Sequence, residues 1–318
     1  MRRTVVLLLV TIVMAACSAG DGDSTGDSTG TVTDTASGGP SGDTTTTIPA
    51  GPTTTLDPLV ARPFEVFVPS TYDDTTPMPL VVLLHGYTAS GLLQELFFQF
   101  QPLAEERGFL YVHPNGTTNV LGEQFWNATP ACCGFGSVVD DSTYLALLVD
   151  DVQREYNVDP KRIFFVGHSN GGFMSYRMAC DHSGTVAAVA SLAGATFADP
   201  AECGVEEPVS VLQIHGTADE TIAFEGGSLL GNPFPSAVTT AATWATANEC
   251  GNETTVEENA LDLVFEIDGA DSSRTVYSEC PDGIGVELWT IDGGVHVPRR
   301  TPDMSAGIID FLFAHPKP

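Results

Sequence analysis

Ser169 is the residue around which chemistry can gather. It stands in Gly167-His168-Ser169-Asn170-Gly171, a G-x-S-x-G pattern entered from an apolar run at 163–166 and left through a helix-like stretch at 171–180. A strand running into the pattern and a helix running out of it put the serine on a tight turn, with its hydroxyl presented at a sheet edge. Gly167 and Gly171 suit that turn, because a side chain at either position would collide across it. The bare pattern says little in a chain with 32 glycines. Its flanks separate it from a plain glycine turn or a helix cap.

A serine hydroxyl is a poor nucleophile until a base takes its proton, and an imidazole base needs a carboxylate to hold its tautomer. On a strand-turn-helix site the order along the chain is Ser, acid, His. His182, His215, His296 and His315 follow Ser169. His182 closes the helix after the serine and His315 lies in the terminal helix tail, both awkward places for a base. His215 ends a strand but stands four residues before a better-placed acid. His296, in the glycine loop Asp292-Gly293-Gly294-Val295-His296, is the expected base. Asp219 follows the strand-like run 209–214 through His215-Gly216-Thr217-Ala218 and is the expected acid, with Glu220 and Asp292 as rivals. Asp140, Asp141, Asp150 and Asp151 precede the serine and suit helix caps or solvated faces.

An acyl-transfer site also needs two N–H donors for the oxyanion that forms when the serine attacks a carbonyl. The amide of Asn170 is one, and the amide of Tyr87, in the loop His85-Gly86-Tyr87-Thr88, is the other. Tyr87 and Trp126, with Phe125, are expected to bind substrate along an apolar cleft, although core packing explains Phe125 and Trp126 equally well. His85 is expected to anchor its loop. No metal site and no cofactor is expected.

These residues need a scaffold that delivers them to one edge. Apolar, strand-like runs fall at 64–68, 80–84, 109–112, 163–166, 186–192, 209–214 and 286–291, several apolar on both faces. Helical stretches at 92–107, 143–156, 171–180, 237–248 and 304–313 alternate with them. That alternation predicts an α/β fold with a mostly parallel, doubly wound sheet covered by helices on both faces. Such a sheet keeps its working residues on the loops leaving the carboxyl ends of its strands.

Residues 1–17 read as an export signal: Arg2 and Arg3, an apolar run from Val5 to Met14, then small residues ending at Cys17. Met14-Ala15-Ala16-Cys17 is similar to a lipobox, which predicts lipidation of Cys17 and a bacterial cell-envelope or extracellular location. The alternative is an ordinary secretory signal. Residues 18–59 are nearly all Thr, Ser, Gly, Asp and Pro and predict a disordered linker. Residues 60–318 are long enough for one catalytic domain with a well-buried core. With 12 basic and 41 acidic residues, the formal charge of −29 excludes nucleic acid as a partner and leaves the lipid anchor as the only membrane attachment expected. The remaining six cysteines, an even number in an exported chain, predict disulfides. Cys250 should pair with Cys280, and Cys132, Cys133, Cys180 and Cys203 among themselves in a pattern left open. The protein is expected to work as a monomer.

The ordered motifs resemble the bacterial polyhydroxybutyrate depolymerase and feruloyl esterase-like family, of the esterase-D and carbohydrate esterase family 1 type, within the α/β-hydrolases. The resemblance spans 62–313 and rests on Phe64-Glu65-Val66-Phe67-Val68-Pro69, Pro79 to Gly86, Trp126-Asn127 with Cys132-Cys133-Gly134, Val139-Asp140-Asp141, Gly167 to Gly172, Ile214 to Asp219, and Gly293-Gly294-Val295-His296. It implies a Ser-Asp-His triad on Ser169, Asp219 and His296. Two places depart from the family pattern. Val295 stands where a third glycine is usual, and Val297-Pro298 stand where Trp-Pro is usual, so an aromatic wall of the acyl pocket is expected to be absent. Ser142-Thr143-Tyr144 replace an apolar start after the aspartate pair.

The chemistry these readings predict is hydrolysis of a carboxylic ester through an acyl-serine. The ester would be a feruloyl or acetyl group on a polysaccharide, or a hydroxyalkanoate or polyester oligomer. A serine peptidase is the alternative within the same chemistry, and a non-catalytic, lipid-anchored binding protein with a hydrolase fold is the alternative outside it.

Overall fold

The computed structural model describes residues 57–318. The predicted signal, Cys17 and nearly all of the predicted linker lie outside these residues. The chain opens with α1 (Pro58–Ala61) and β1 (Val66–Phe67), then β2 (Met78–Leu84), α2 (Gly91–Phe98), α3 (Phe100–Arg107) and β3 (Leu110–Val112). A crossover carries β4 (Thr117–Thr118) and β5 (Gln124–Phe125) to α4 (Asp141–Glu155), β6 (Val158–His168), α5 (Asn170–Asp181), β7 (Ala188–Leu192) and β8 (Ser210–Gly216). The last part holds β9 (Gly227–Leu229), β10 (Asn232–Phe234), α6 (Ala237–Ala247), β11 (Thr254–Leu261), β12 (Ser272–Tyr277), β13 (Val286–Ile291) and α7 (Pro302–Ala314).

One nine-stranded sheet organises all of this, in the order β1-β3-β2-β6-β7-β8-β13-β12-β11. The run from β3 to β13 is parallel, and β1, β12 and β11 pair antiparallel at the two edges. The pattern on β2 shows why both faces are covered. Leu80, Val82 and Leu84 enter one core with Tyr144, Phe173 and Trp244, from α4, α5 and α6. Val81 and Leu83 enter the other with Phe98, Phe100 and Ile308, from α2, α3 and α7. A strand buried on both sides reads as an unbroken apolar run, and this is the predicted doubly wound α/β fold.

The chain leaves β2 for β3 on one side and returns to β6 on the other, so the strand order reverses between β2 and β6. Crevices in open α/β sheets form at such a reversal, outside the carboxyl ends of the strands. β6 ends at His168, immediately before Ser169, and β2 ends at Leu84, immediately before the His85-Gly86-Tyr87 loop.

Two departures have plain causes. The helix predicted over 92–107 is two helices broken at Gln99, which is left-handed at φ 56°. The Glu95 carboxylate accepts the amides of Phe100 and Gln101, each at 3.1 Å, and so starts the second helix. Pro102, in the first turn of α3, could not have donated to a continuous ladder. The edge strands β11 and β12 were not predicted, because β11 is exposed on both faces and carries no apolar alternation to read. The six cysteines form three bonds, Cys250–Cys280, Cys180–Cys203 and the adjacent pair Cys132–Cys133.

Candidate active site

Ser169 has φ 55° and ψ −120°, a region a residue with a side chain rarely occupies. Its neighbours hold it there. Its amide donates to the Leu192 carbonyl on β7 at 2.8 Å, and its own carbonyl accepts from Phe173 at 3.0 Å as α5 begins. A Cβ on Gly171 would overlap the Leu84 carbonyl of β2, and one on Gly167 would overlap the Gly171 backbone. The two glycines therefore let the turn from β6 into α5 close against β2.

The loop after β13 brings His296 over this turn. Its Nε2 lies 3.0 Å from Ser169 Oγ, and its Nδ1 lies 2.7 Å from Asp219 Oδ2. Asp219 sits just past β8, where its other oxygen accepts the amides of Thr221 and Ile222, each at 2.8 Å. Burial pushes the Asp219 carboxyl up, but hydrogen bonds from His215 and His296 outweigh it and hold the group well below the ordinary carboxylate range. The rivals stand apart. Glu220 is exposed, and exposed Asp292 faces Thr217.

His168 holds His296 from behind. Its Nε2 donates to the His296 carbonyl at 2.8 Å, and its ring lies between Phe97, 5.7 Å away and stacked, and His296 at 4.9 Å. Burial, then the neighbouring His296, lowers its pKa to about 3, so the ring is neutral and free to donate. Sequence reading assigned His168 no task, since a residue inside a motif offers no separate signal.

The loop after β2 completes the crevice. Among the described residues the amides of Tyr87 and Asn170 have no backbone or side-chain acceptor. His85 anchors this loop: its Nδ1 donates to the Gly86 carbonyl at 2.8 Å and its Nε2 accepts the Gly116 amide at 2.9 Å. Burial lowers its pKa to about 4. The arrangement can move a proton from Ser169 Oγ to His296 Nε2 while Asp219 remains charged.

Comparison with known proteins gives the family and the fold. A family model of esterases matches residues 61–264, more than half of the chain. The chain belongs to this esterase family. Feruloyl esterase B of Piromyces equi is 28% identical over 236 residues, which cover 72% of this chain and 41% of that protein. This chain therefore spans less than half the length of that relative. Feruloyl esterase D of Neurospora crassa is 25% identical over 253 residues, 76% of this chain and 75% of that protein. Among solved structures, an acetyl xylan esterase from Aspergillus awamori superposes with a TM-score of 0.57 at 16% identity, over 79% of this chain and 93% of that one. That likeness establishes the α/β-hydrolase fold.

One substrate-binding expectation needs correcting. Trp126 is fully buried and cannot line a cleft. Its indole N–H donates to the His85 carbonyl at 3.1 Å, and its backbone pairs with the Asn170 side chain, N–H to Oδ1 at 2.7 Å and Nδ2 to the carbonyl at 2.9 Å. Trp126 thus ties the Tyr87 loop to the serine turn, and Phe125 is buried beside it. Phe135, by contrast, is exposed, and its ring stands edge-on to Tyr87 at 5.8 Å. It sits in Cys132-Cys133-Gly134-Phe135-Gly136, where no periodicity marks it. Phe135 also borders an open cleft of about 520 Å³, with Asn127, Thr129, Arg177, Leu230 and Asn232. Asp141, expected on a cap or solvated face, is fully buried and pairs with Arg62 while accepting from Thr117 and Asn127. Asp140 is the cap, accepting the Thr143 amide at 2.9 Å.

Proposed function

We infer that this chain is a serine carboxylic-ester hydrolase that works outside the cytoplasm, held at the bacterial envelope through Cys17, on feruloyl or acetyl esters of polysaccharide. The observation that carries the reading is the unbroken series Ser169 Oγ, His296, Asp219, with contacts of 3.0 and 2.7 Å. Ser169 Oγ attacks the ester carbonyl as His296 Nε2 takes its proton. The amides of Tyr87 and Asn170 receive the oxyanion, and the charged Asp219 stabilises the imidazolium. His296 then returns the proton to the departing alcohol, leaving an acyl group on Ser169. A water deprotonated by His296 releases the acid and restores the serine.

The substrate class is supported by relatives named as feruloyl esterases and by the aromatic pair of half-buried Tyr87 and exposed Phe135, on the loops flanking the Trp126 tie. Hydroxyalkanoate or polyester oligomers would use the same chemistry. Replacing Ser169 with Ala is expected to lower hydrolysis of methyl ferulate or a nitrophenyl acetate by at least about 10³-fold. It should also abolish labelling by a fluorophosphonate. Equal rates in wild type and Ser169→Ala would sink the reading, and an unlabelled, folded wild type would favour a binding protein.

A further inference from the structure

A second histidine stands behind Asp219. His215 lies in β8 and is 1% exposed. Its Nε2 is 2.7 Å from the Ile222 carbonyl oxygen and 3.4 Å from Asp219 Oδ2. Its Nδ1 is 3.0 Å from the side-chain nitrogen of Gln213. Gln213 reaches further, with that nitrogen 2.9 Å from the Gly194 carbonyl and its oxygen 2.6 Å from the Tyr176 hydroxyl.

Donor and acceptor rules allow this chain one direction. The Gly194 carbonyl can only accept, so Gln213 must turn its amide nitrogen toward it and its oxygen toward Tyr176, which donates. The second N–H of Gln213 then meets His215 Nδ1, which must be the bare, accepting nitrogen. The ring proton is left on Nε2, where the Ile222 carbonyl waits as acceptor. Every buried group from Tyr176 to Ile222 is satisfied in this order, and reversing any bond sets two donors or two acceptors against each other.

The far end of the chain is the acid. The Ile222 amide is one of the two that hold Asp219 Oδ1, so His215 braces the residue that grips the carboxylate. Its N–H edge also lies beside Oδ2, the oxygen that His296 uses. We propose that His215 is a positioning residue: a neutral imidazole, protonated on Nε2 by the choice of Gln213, that keeps Asp219 Oδ2 aimed at His296 Nδ1. The proposal rests on reading Ser169, His296 and Asp219 as a hydrolytic triad. His215 touches no substrate and acts only through Asp219. Asp219 is the charged group facing it; His296 and His168 lie beyond Asp219, and Tyr176 lies beyond Gln213.

Two polar substitutions of similar size separate positioning from packing. Gln at 215 places an amide nitrogen near the Nε2 position and can still reach Ile222; Asn places its polar atoms near Nδ1 and cannot. In the full-length protein, His215→Gln should keep the far-downfield proton resonance between His296 Nδ1 and Asp219, with kcat for a nitrophenyl acetate within about threefold of wild type. His215→Asn should lose that resonance and about 10- to 100-fold in kcat, with KM within about twofold. Retention of resonance and kcat in His215→Asn, or equal losses in both variants when both melt cooperatively, overturns the proposal. Ring nitrogen chemical shifts of wild-type His215 test it with no variant: an Nδ1–H tautomer, or an imidazolium at neutral pH, would also overturn it. Should wild type hydrolyse no ester, the proposed function fails, and the resonance and tautomer measurements still decide the role of His215.

Discussion

Two glycines decide how close the serine turn can come to its neighbours, and they make the residue scale testable. A methyl group on Gly171 would overlap the Leu84 carbonyl, which is backbone in a central strand and has nowhere to move. Gly171→Ala is therefore expected to cost at least about 3 kcal/mol and to remove most activity, as read by urea unfolding and ester hydrolysis. Gly204 is the matched control. Nothing lies within 4 Å of a Cβ there, so Gly204→Ala should stay within about 0.5 kcal/mol of wild type. Similar losses at both positions would show that crowding at the turn is not the cause. Gly171 could be singled out from sequence by its place in G-x-S-x-G, whereas the carbonyl it must clear lies 87 residues upstream in Leu84, on a strand that only folding brings near.

At the scale of elements, the edge hairpin β11–β12 is held by few apolar contacts, since β11 is exposed along nearly its whole length. Its ends are tied instead by Cys250–Cys280, which closes a separation of 30 residues. A bond closing a loop of that size restrains the unfolded chain by about 3–4 kcal/mol. Replacing both cysteines with Ser should lower the thermal midpoint by on the order of 10 °C, measured by calorimetry with and without the pair. A midpoint within about 2 °C of wild type would mean that the hairpin is held by its ladder alone. The pairing was legible from sequence because both cysteines flank one stretch. The hairpin between them was not, because strand reading depends on apolar alternation and this edge has none.

Across the whole molecule, burial of neutral histidines ties stability to pH. His85 and His168 have folded-state pKa values of about 4 and about 3, against an ordinary 6.5. Above about pH 6.5 neither the folded nor the unfolded chain protonates them, and their contribution is fully present. As pH falls toward 4, the unfolded chain takes up protons that the folded chain refuses, and stability is lost at up to about 1.4 kcal/mol per pH unit for each ring. Asp219, with its folded value lowered, adds its own loss only below its ordinary 3.8. The urea midpoint is expected to drop clearly between pH 7 and pH 5. A flat profile over that range would show that the two rings are not protected from protons.

The sequence alone determined the α/β class, the serine turn, and the two residues, Asp219 and His296, that the tertiary structure joins to Ser169 in a hydrogen-bonded series. Those features are written locally: apolar runs long enough to cross a covered sheet, and residues such as Asp219 and His296 placed directly after strands whose ends must share one edge. Only the tertiary structure decided what those residues lean on. Trp126 reads equally well as cleft or core until its indole is seen bonded to the His85 carbonyl, and Phe135 carries no pattern at all. His168 and His215 likewise show their tasks only through partners 128 and 7 residues away, the His296 and Ile222 carbonyls. Backbone carbonyls have no residue type, so a hydrogen bond to one leaves no trace in a sequence. The serine turn could be read from its own letters, and the network around Asp219 and His296 could not.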